Sequence, residues 1–139
     1  MSHRDLEDML AEIGEMLGFH VKREESTTDG LHRFDITWRD HSSHSPVKVW
    51  EVEISGNVLT ALARLKHAFD LWHPELYLVV SDAKTKEKAE ELVKPQIKSA
   101  FAERERSLTV TGADTIINLY NSLKPNKDII LKLAKKTPR

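Results

Sequence analysis

Arg33-Phe34-Asp35-Ile36-Thr37-Trp38 and Val47-Lys48-Val49-Trp50-Glu51-Val52-Glu53-Ile54 carry the architecture of this chain. Both are rich in β-branched and aromatic residues, so each reads as a strand, and each places acids where strands packed on a core seldom have them. Side chains of a strand alternate between faces, which puts Glu51 and Glu53 on the same side. If the two strands pair, Asp35 joins them. Three carboxylates converging beside an apolar sheet repel one another and lose hydration, a cost that a divalent cation removes. Asp35, Glu51 and Glu53 therefore define a candidate Mg2+ or Mn2+ site. A blander reading stands beside it: Trp50, Val52 and Ile54 form one apolar face, and both glutamates then lie on the solvent face of an edge-like strand.

Upstream, Leu6, Met9, Leu10, Ile13, Met16 and Leu17 recur at helical spacing and predict an amphipathic helix over 4–17, stopped by Gly18. Residues 19–25 and 31–38 read as strands joined through Ser26-Thr27-Thr28-Asp29-Gly30, whose Asp-Gly suits a tight turn. The polar run 39–46 leads into the Glu51 strand and completes a meander. Downstream, Ser55-Gly56-Asn57 breaks that strand and caps a helix over 58–72, one face of which carries Leu62, Leu65, Phe69 and Trp72. Pro74 helps to end it. Residues 75–80 are a short apolar run, the pattern of a buried strand, with Ser81-Asp82 as the next N-cap. A helix from Ala83 toward Glu105, with Pro95 as a place to kink or restart, leads to a strand over 107–111. A helix over 113–123 and a last basic helix after Pro125 follow. The order is α-β-β-β-α-β-α-β-α.

A chain of 139 residues is long enough for one good core and short for two, so a single domain over 1–139 is expected. Hydrophobic content of 40% and charged content of 31% fit a soluble globular protein, and the apolar runs are too short to span a membrane. The N-terminus, Met1-Ser2-His3-Arg4-Asp5, has no apolar secretory core, and the absence of cysteine removes disulfides, thiolate zinc sites and cysteine nucleophiles. A cytoplasmic location is the default expectation. The net charge of -1 does not announce a nucleic-acid binder. Charge is uneven, however. In the C-terminal helical segment 124–139, Lys124, Lys127, Lys132, Lys135, Lys136 and Arg139 face a single acid, Asp128, so this end either holds phosphates or is a solvated tail.

The acid-bearing first helix closing in Gly18-Phe19, the strand Arg33-Phe34-Asp35-Ile36 and the run Glu51-Val52-Glu53 together resemble the PD-(D/E)XK nuclease superfamily. This is the fold of many restriction endonucleases and archaeal Holliday junction resolvases. The strand before Asp35 lacks the family's proline, and Glu53 stands where lysine is usual, although some restriction enzymes of the superfamily also use glutamate there. The resemblance implies a restriction endonuclease-like α/β fold, a mixed central β-sheet flanked by helices. It implies a metal-dependent DNA endonuclease that hydrolyses phosphodiester bonds with a metal-activated water. Asp35 and Glu51 would then hold Mg2+ or Mn2+, with the Val52 carbonyl as a further ligand, and Glu53 would orient or deprotonate the water. Glu7 is the functional acid of the opening helix, with Glu12 as the fallback. Lys66 is the cation that the superfamily sometimes supplies from the next helix, chosen over Arg64 because it lies nearer the Leu62-Leu65-Phe69 stripe. DNA is the implied partner and a homodimer the implied assembly, since in many relatives each subunit cuts one strand.

A different class competes with the enzyme: a noncatalytic member of the fold, kept as a DNA-binding or protein-interaction module after loss of the lysine. An unrelated α/β scaffold with no metal is a third reading. His41-Ser42-Ser43-His44 has a spacing that can hold zinc but no further ligand in view, so it reads as a polar loop. Gly56 reads as a strand-to-helix turn rather than a phosphate cradle.

Overall fold

Ser2 opens the first helix. Its hydroxyl accepts the Asp5 N–H and the Asp5 carboxylate accepts the Ser2 N–H, each at 3.1 Å, a reciprocal cap that satisfies two end groups at once. In this structure, a computed structural model, the backbone of residues 1–100 and 108–134 is described, with the side chains of all of these except 93–100. The helix, α1 (His3–Met16), ends as Gly18 takes a φ of 92°, which lets the Phe19 N–H reach the Gly14 carbonyl at 2.9 Å.

Strands β1 (His20–Ser26), β2 (Arg33–Arg39) and β3 (Lys48–Glu53) follow, then α2 (Val58–Trp72), β4 (Glu75–Val80), α3 (Ala83–Ala100), β5 (Leu108–Gly112) and α4 (Ala113–Leu123). A 3-10 turn, Lys124–Asn126, leads into a short α5 (Lys127–Leu133). The sequence order is the expected one. The third helix runs through Pro95 as a single element, and its expected extension toward Glu105 lies outside the described residues.

The five strands form one mixed sheet in the order β1-β2-β3-β4-β5. The first three pair antiparallel as a meander, and β3-β4 and β4-β5 pair parallel through the α2 and α3 crossovers. Helices cover both faces, so the fold is mixed α/β. One face packs Val49, Leu76, Leu78 and Val80 against Val58, Ala61, Leu62, Leu65 and Ala68 of α2 and Ala89 of α3. The other packs Ile36, Trp38, Trp50, Val52 and Val79 against Leu6, Leu10, Ile13 and Met16 of α1 and Ala113 and Ile116 of α4. Because both faces are buried, β3 has no solvent face, and Glu51 is 1% exposed. The edge-like reading of its glutamates fails for Glu51.

Two local features shape the site. Gly14 lets α1 lie directly on the sheet, since a Cβ there would sit 2.6 Å from the Trp38 ring and 2.8 Å from Val21. Glu24 takes a φ of 50°, the left-handed region that a glutamate rarely adopts. The β1-β2 ladder pairs Arg23 with Ile36 and Glu25 with Phe34, and it omits the position between them, where Glu24 faces Asp35. Beyond this point the faces exchange: Ile36 packs with α1, whereas Phe34, two residues earlier, packs with α2. A regular strand would put both on one side.

At the far end, α4 and α5 tie back to the first helix. The Glu12 carboxylate accepts from the Tyr120 hydroxyl at 2.5 Å and from Lys127 Nζ at 3.0 Å. Lys124 Nζ lies 5.1 Å from the centre of the Tyr120 ring, so two lysines of the basic segment are engaged within the fold. Glu12, the fallback acid, is thereby committed to this tie. No described helix is long and apolar enough to cross a membrane.

Candidate functional site

The site forms where β2 and β3 separate. Their ladder runs from Trp38-Lys48 through Thr37-Val49 to Ile36-Trp50 and stops. Continued, it would bring Asp35 and Glu51 opposite each other. Carboxylates take over instead: the Asp35 N–H donates to Glu51 Oε2 at 2.8 Å, and the Val52 N–H donates to Asp35 Oδ2 at 2.8 Å. Each acid thus satisfies a backbone donor of the other strand, which fixes both at the mouth of the gap.

Asp35 and Glu51 reach this gap with different company. Glu51 ion-pairs with Arg64 of α2, whose Nη1 lies 3.3 Å from Oε1. Burial pushes its carboxyl up to about 8, with the Asp35 charge adding to the rise and the Asp35 N–H and Arg64 opposing it. Asp35 meets α1. His3 lies between two acids, its Nε2 3.2 Å from Asp35 Oδ2 and its Nδ1 3.0 Å from Glu7 Oε2. Glu7 is 2% exposed, and burial followed by the Asp35 charge raises its carboxyl above the ordinary range. Its Oε1 accepts no hydrogen bond, and the nearest cation, Arg23 Nε, stays 3.5 Å away.

The expected trio of Asp35, Glu51 and Glu53 therefore takes another form. Among the described residues, the group whose ligand atoms all lie within 4.8 Å of one another is His3, Glu7 and Asp35. Glu53 turns to the loop that follows it, where Oε1 accepts from the Ser55 hydroxyl, from the Ser55 N–H at 2.9 Å and from the Asn57 N–H at 3.3 Å. A strand-end acid beside Ser-Gly-Asn finds local donors before it finds a distant partner. Lys66 points away from the gap and pairs with Asp70, one helical turn on, at 2.6 Å. The α2 cation at the gap is Arg64, the residue set aside on helical spacing, whose long side chain spans the distance from a half-exposed position.

The sequence reading passed over His3 as well as Arg64. A signal for His3 existed, because His3 and Glu7 stand at i, i+4 and share one face of α1. His41 and His44 join no metal-sharing group among the described residues: His41 Nδ1 meets Ser43 and His44 Nδ1 meets Asp40. Gly56, with a φ of 96°, makes the turn into α2, where Asn57 accepts the Thr60 N–H.

Comparison with known protein families, with curated proteins and with solved structures finds no match to this chain. Carboxylate oxygens and an imidazole nitrogen are atom types that can hold a divalent cation. Around Asp35 stand the Glu7 and Glu51 carboxylates and the His3 imidazole, and Glu7 Oε1 has no hydrogen-bond donor, its contact being the ion pair with Arg23.

Proposed function

We propose that this chain is a divalent-cation-dependent nuclease of the restriction endonuclease-like type, hydrolysing phosphodiester bonds in DNA. The observation that supports this reading is the end of the β2-β3 ladder at Ile36-Trp50, beyond which Asp35 and Glu51 each accept a backbone N–H of the other's strand. Asp35 and Glu51 hold Mg2+ or Mn2+ there, with the Val52 carbonyl as a further ligand. The ion, when bound, polarises the phosphoryl oxygen and acidifies the attacking water. Arg64, beside Glu51, supplies positive charge near the scissile phosphate, the part that lysine plays in the family resembled. Glu53 takes the water's proton if it leaves its loop contacts, and Glu7 holds the α1 side of Asp35.

One observation favours a second reading. Glu53 is engaged by Ser55 and Asn57, and no lysine stands in its place, which supports a noncatalytic member of the fold that binds DNA or a protein.

The two readings separate in one experiment: cleavage of linear, supercoiled and branched DNA with Mg2+ or Mn2+, measured for wild type, Asp35→Asn and Glu51→Gln. Each amide keeps the shape and removes the charge that holds the ion, so both variants are expected to lose cleavage by about a thousandfold or more while remaining folded. If wild type cleaves none of these substrates and is not stabilised by either ion, the enzyme reading fails. Retained DNA binding in that case identifies the noncatalytic module.

A further inference from the structure

The reading above places its ion between Asp35 and Glu51 and gives Glu7 only the task of holding Asp35, so His3 has no part in it. The His3–Glu7–Asp35 cluster differs from that pair in chemistry, because an imidazole nitrogen stands among the carboxylates. We propose that His3, Glu7 and Asp35 form a second cation site on the α1 side of Asp35, taking a borderline transition-metal ion of the Mn2+, Co2+ or Zn2+ class in preference to Mg2+.

Three observations carry this site. One ligand atom from each residue lies within 4.8 Å of the other two, a spread that small side-chain rotations close to the ~3 Å edges of a coordination shell. Glu7 is 2% exposed, and its Oε1 has no hydrogen-bond partner and is met only by an ion pair. Arg23 is that partner, shared with Asp8. Its Nε stops 3.5 Å from Oε1, while its Nη2 is drawn to Asp8 at 2.5 Å. Finally, His3 has a carboxylate at each ring nitrogen, so one nitrogen can take the metal while the other donates to its acid, the arrangement that orients metal-bound imidazoles.

The preference for metal follows from the ligands. Mg2+ favours an octahedral shell of oxygens and keeps its waters, whereas imidazole suits the later divalent ions. The frame is rigid on two sides: Glu7 projects from a capped helix, and Asp35 is pinned by the Val52 N–H. His3, in the first turn of α1 and 41% exposed at its side chain, is the member that opens to admit the ion.

Co2+ is the probe, because its visible absorption reports ligation directly and needs no turnover. Wild type is expected to bind Co2+ in the presence of excess Mg2+, and Zn2+ to displace it. His3→Ala and Glu7→Gln should each weaken Co2+ binding by about tenfold or more, no less than the loss of an outer-shell partner costs. The His41→Ala/His44→Ala double variant should keep Co2+ affinity within about twofold, since neither histidine touches the ligands. His3→Gln, with metal-free melting curves of all variants, separates lost ligation from lost folding. The proposal is overturned if wild type binds no Co2+, or if His3→Ala and His3→Gln bind it as wild type does. A wild type that binds Co2+ through His3 but cuts no DNA would sink the nuclease reading alone.

Discussion

Glu51 concentrates the cost of the site in one side chain. Its carboxyl is pushed up to about 8 by burial first and by the Asp35 charge second, so the folded protein keeps a proton that the unfolded chain releases near the ordinary value of 4.5. The sign follows: this contribution to stability is complete below about 4.5 and declines as pH rises toward 8. Across that window metal-free wild type is expected to lose on the order of a few kcal/mol in chemical denaturation, with a flatter profile for Glu51→Gln. The same proton competes with a cation, so Mg2+ should stabilise wild type more at pH 8 than at pH 6. A wild-type profile as flat as that of the variant would show that Glu51 does not carry the shift. That Asp35 and Glu51 belong together was legible in the sequence, because acids in apolar strands are rare enough to notice. The partners of Glu53 and Asp35 were not. Glu53 is captured by donors two and four residues away, and Asp35 meets His3 of α1 where the left-handed Glu24 interrupts the β1-β2 ladder, a backbone choice that no propensity announces.

At the level of elements, periodicity located the helices and strands and even their faces, because a two-sided sheet leaves apolar residues wherever a helix lands. The ends of α1 and of the strands moved by a residue or two. What periodicity could not supply was the distance between layers. Gly14 sets it for α1, since the Trp38 ring and Val21 occupy the space where a Cβ would stand. Ala is a better helix former than Gly by about 1 kcal/mol, so a Gly14→Ala change in a free helix would stabilise it. Here overpacking prevails. Gly14→Ala is expected to cost about 1–3 kcal/mol in urea denaturation, and to weaken metal binding by lifting Glu7 away from Asp35. Equal or greater stability would mean that α1 rides higher on the sheet than described. The choice of Arg64 over Lys66 is likewise an element-scale result: both flank the buried stripe of α2, and only the register of α2 against β3 decides which reaches Glu51.

For the molecule as a whole, the basic end was legible as charge but not as contact. Lys127 serves the Glu12–Tyr120 tie and Lys124 lies over the Tyr120 ring, so this end fastens the N-terminal helix. The apolar stripe of α1 is completed by Ala113 and Ile116 of α4, together with the sheet. A fragment comprising residues 1–112 keeps all five strands but loses that cover, and it is expected to bind a hydrophobic dye and melt without a cooperative transition. A sharp wild-type-like melt of the fragment would refute this. The tie also has a temporal meaning. The Tyr120–Glu12 contact spans 108 residues of sequence, so during synthesis α1 stays sticky and half-clothed until α4 has left the ribosome, and this side of the sheet can close only then.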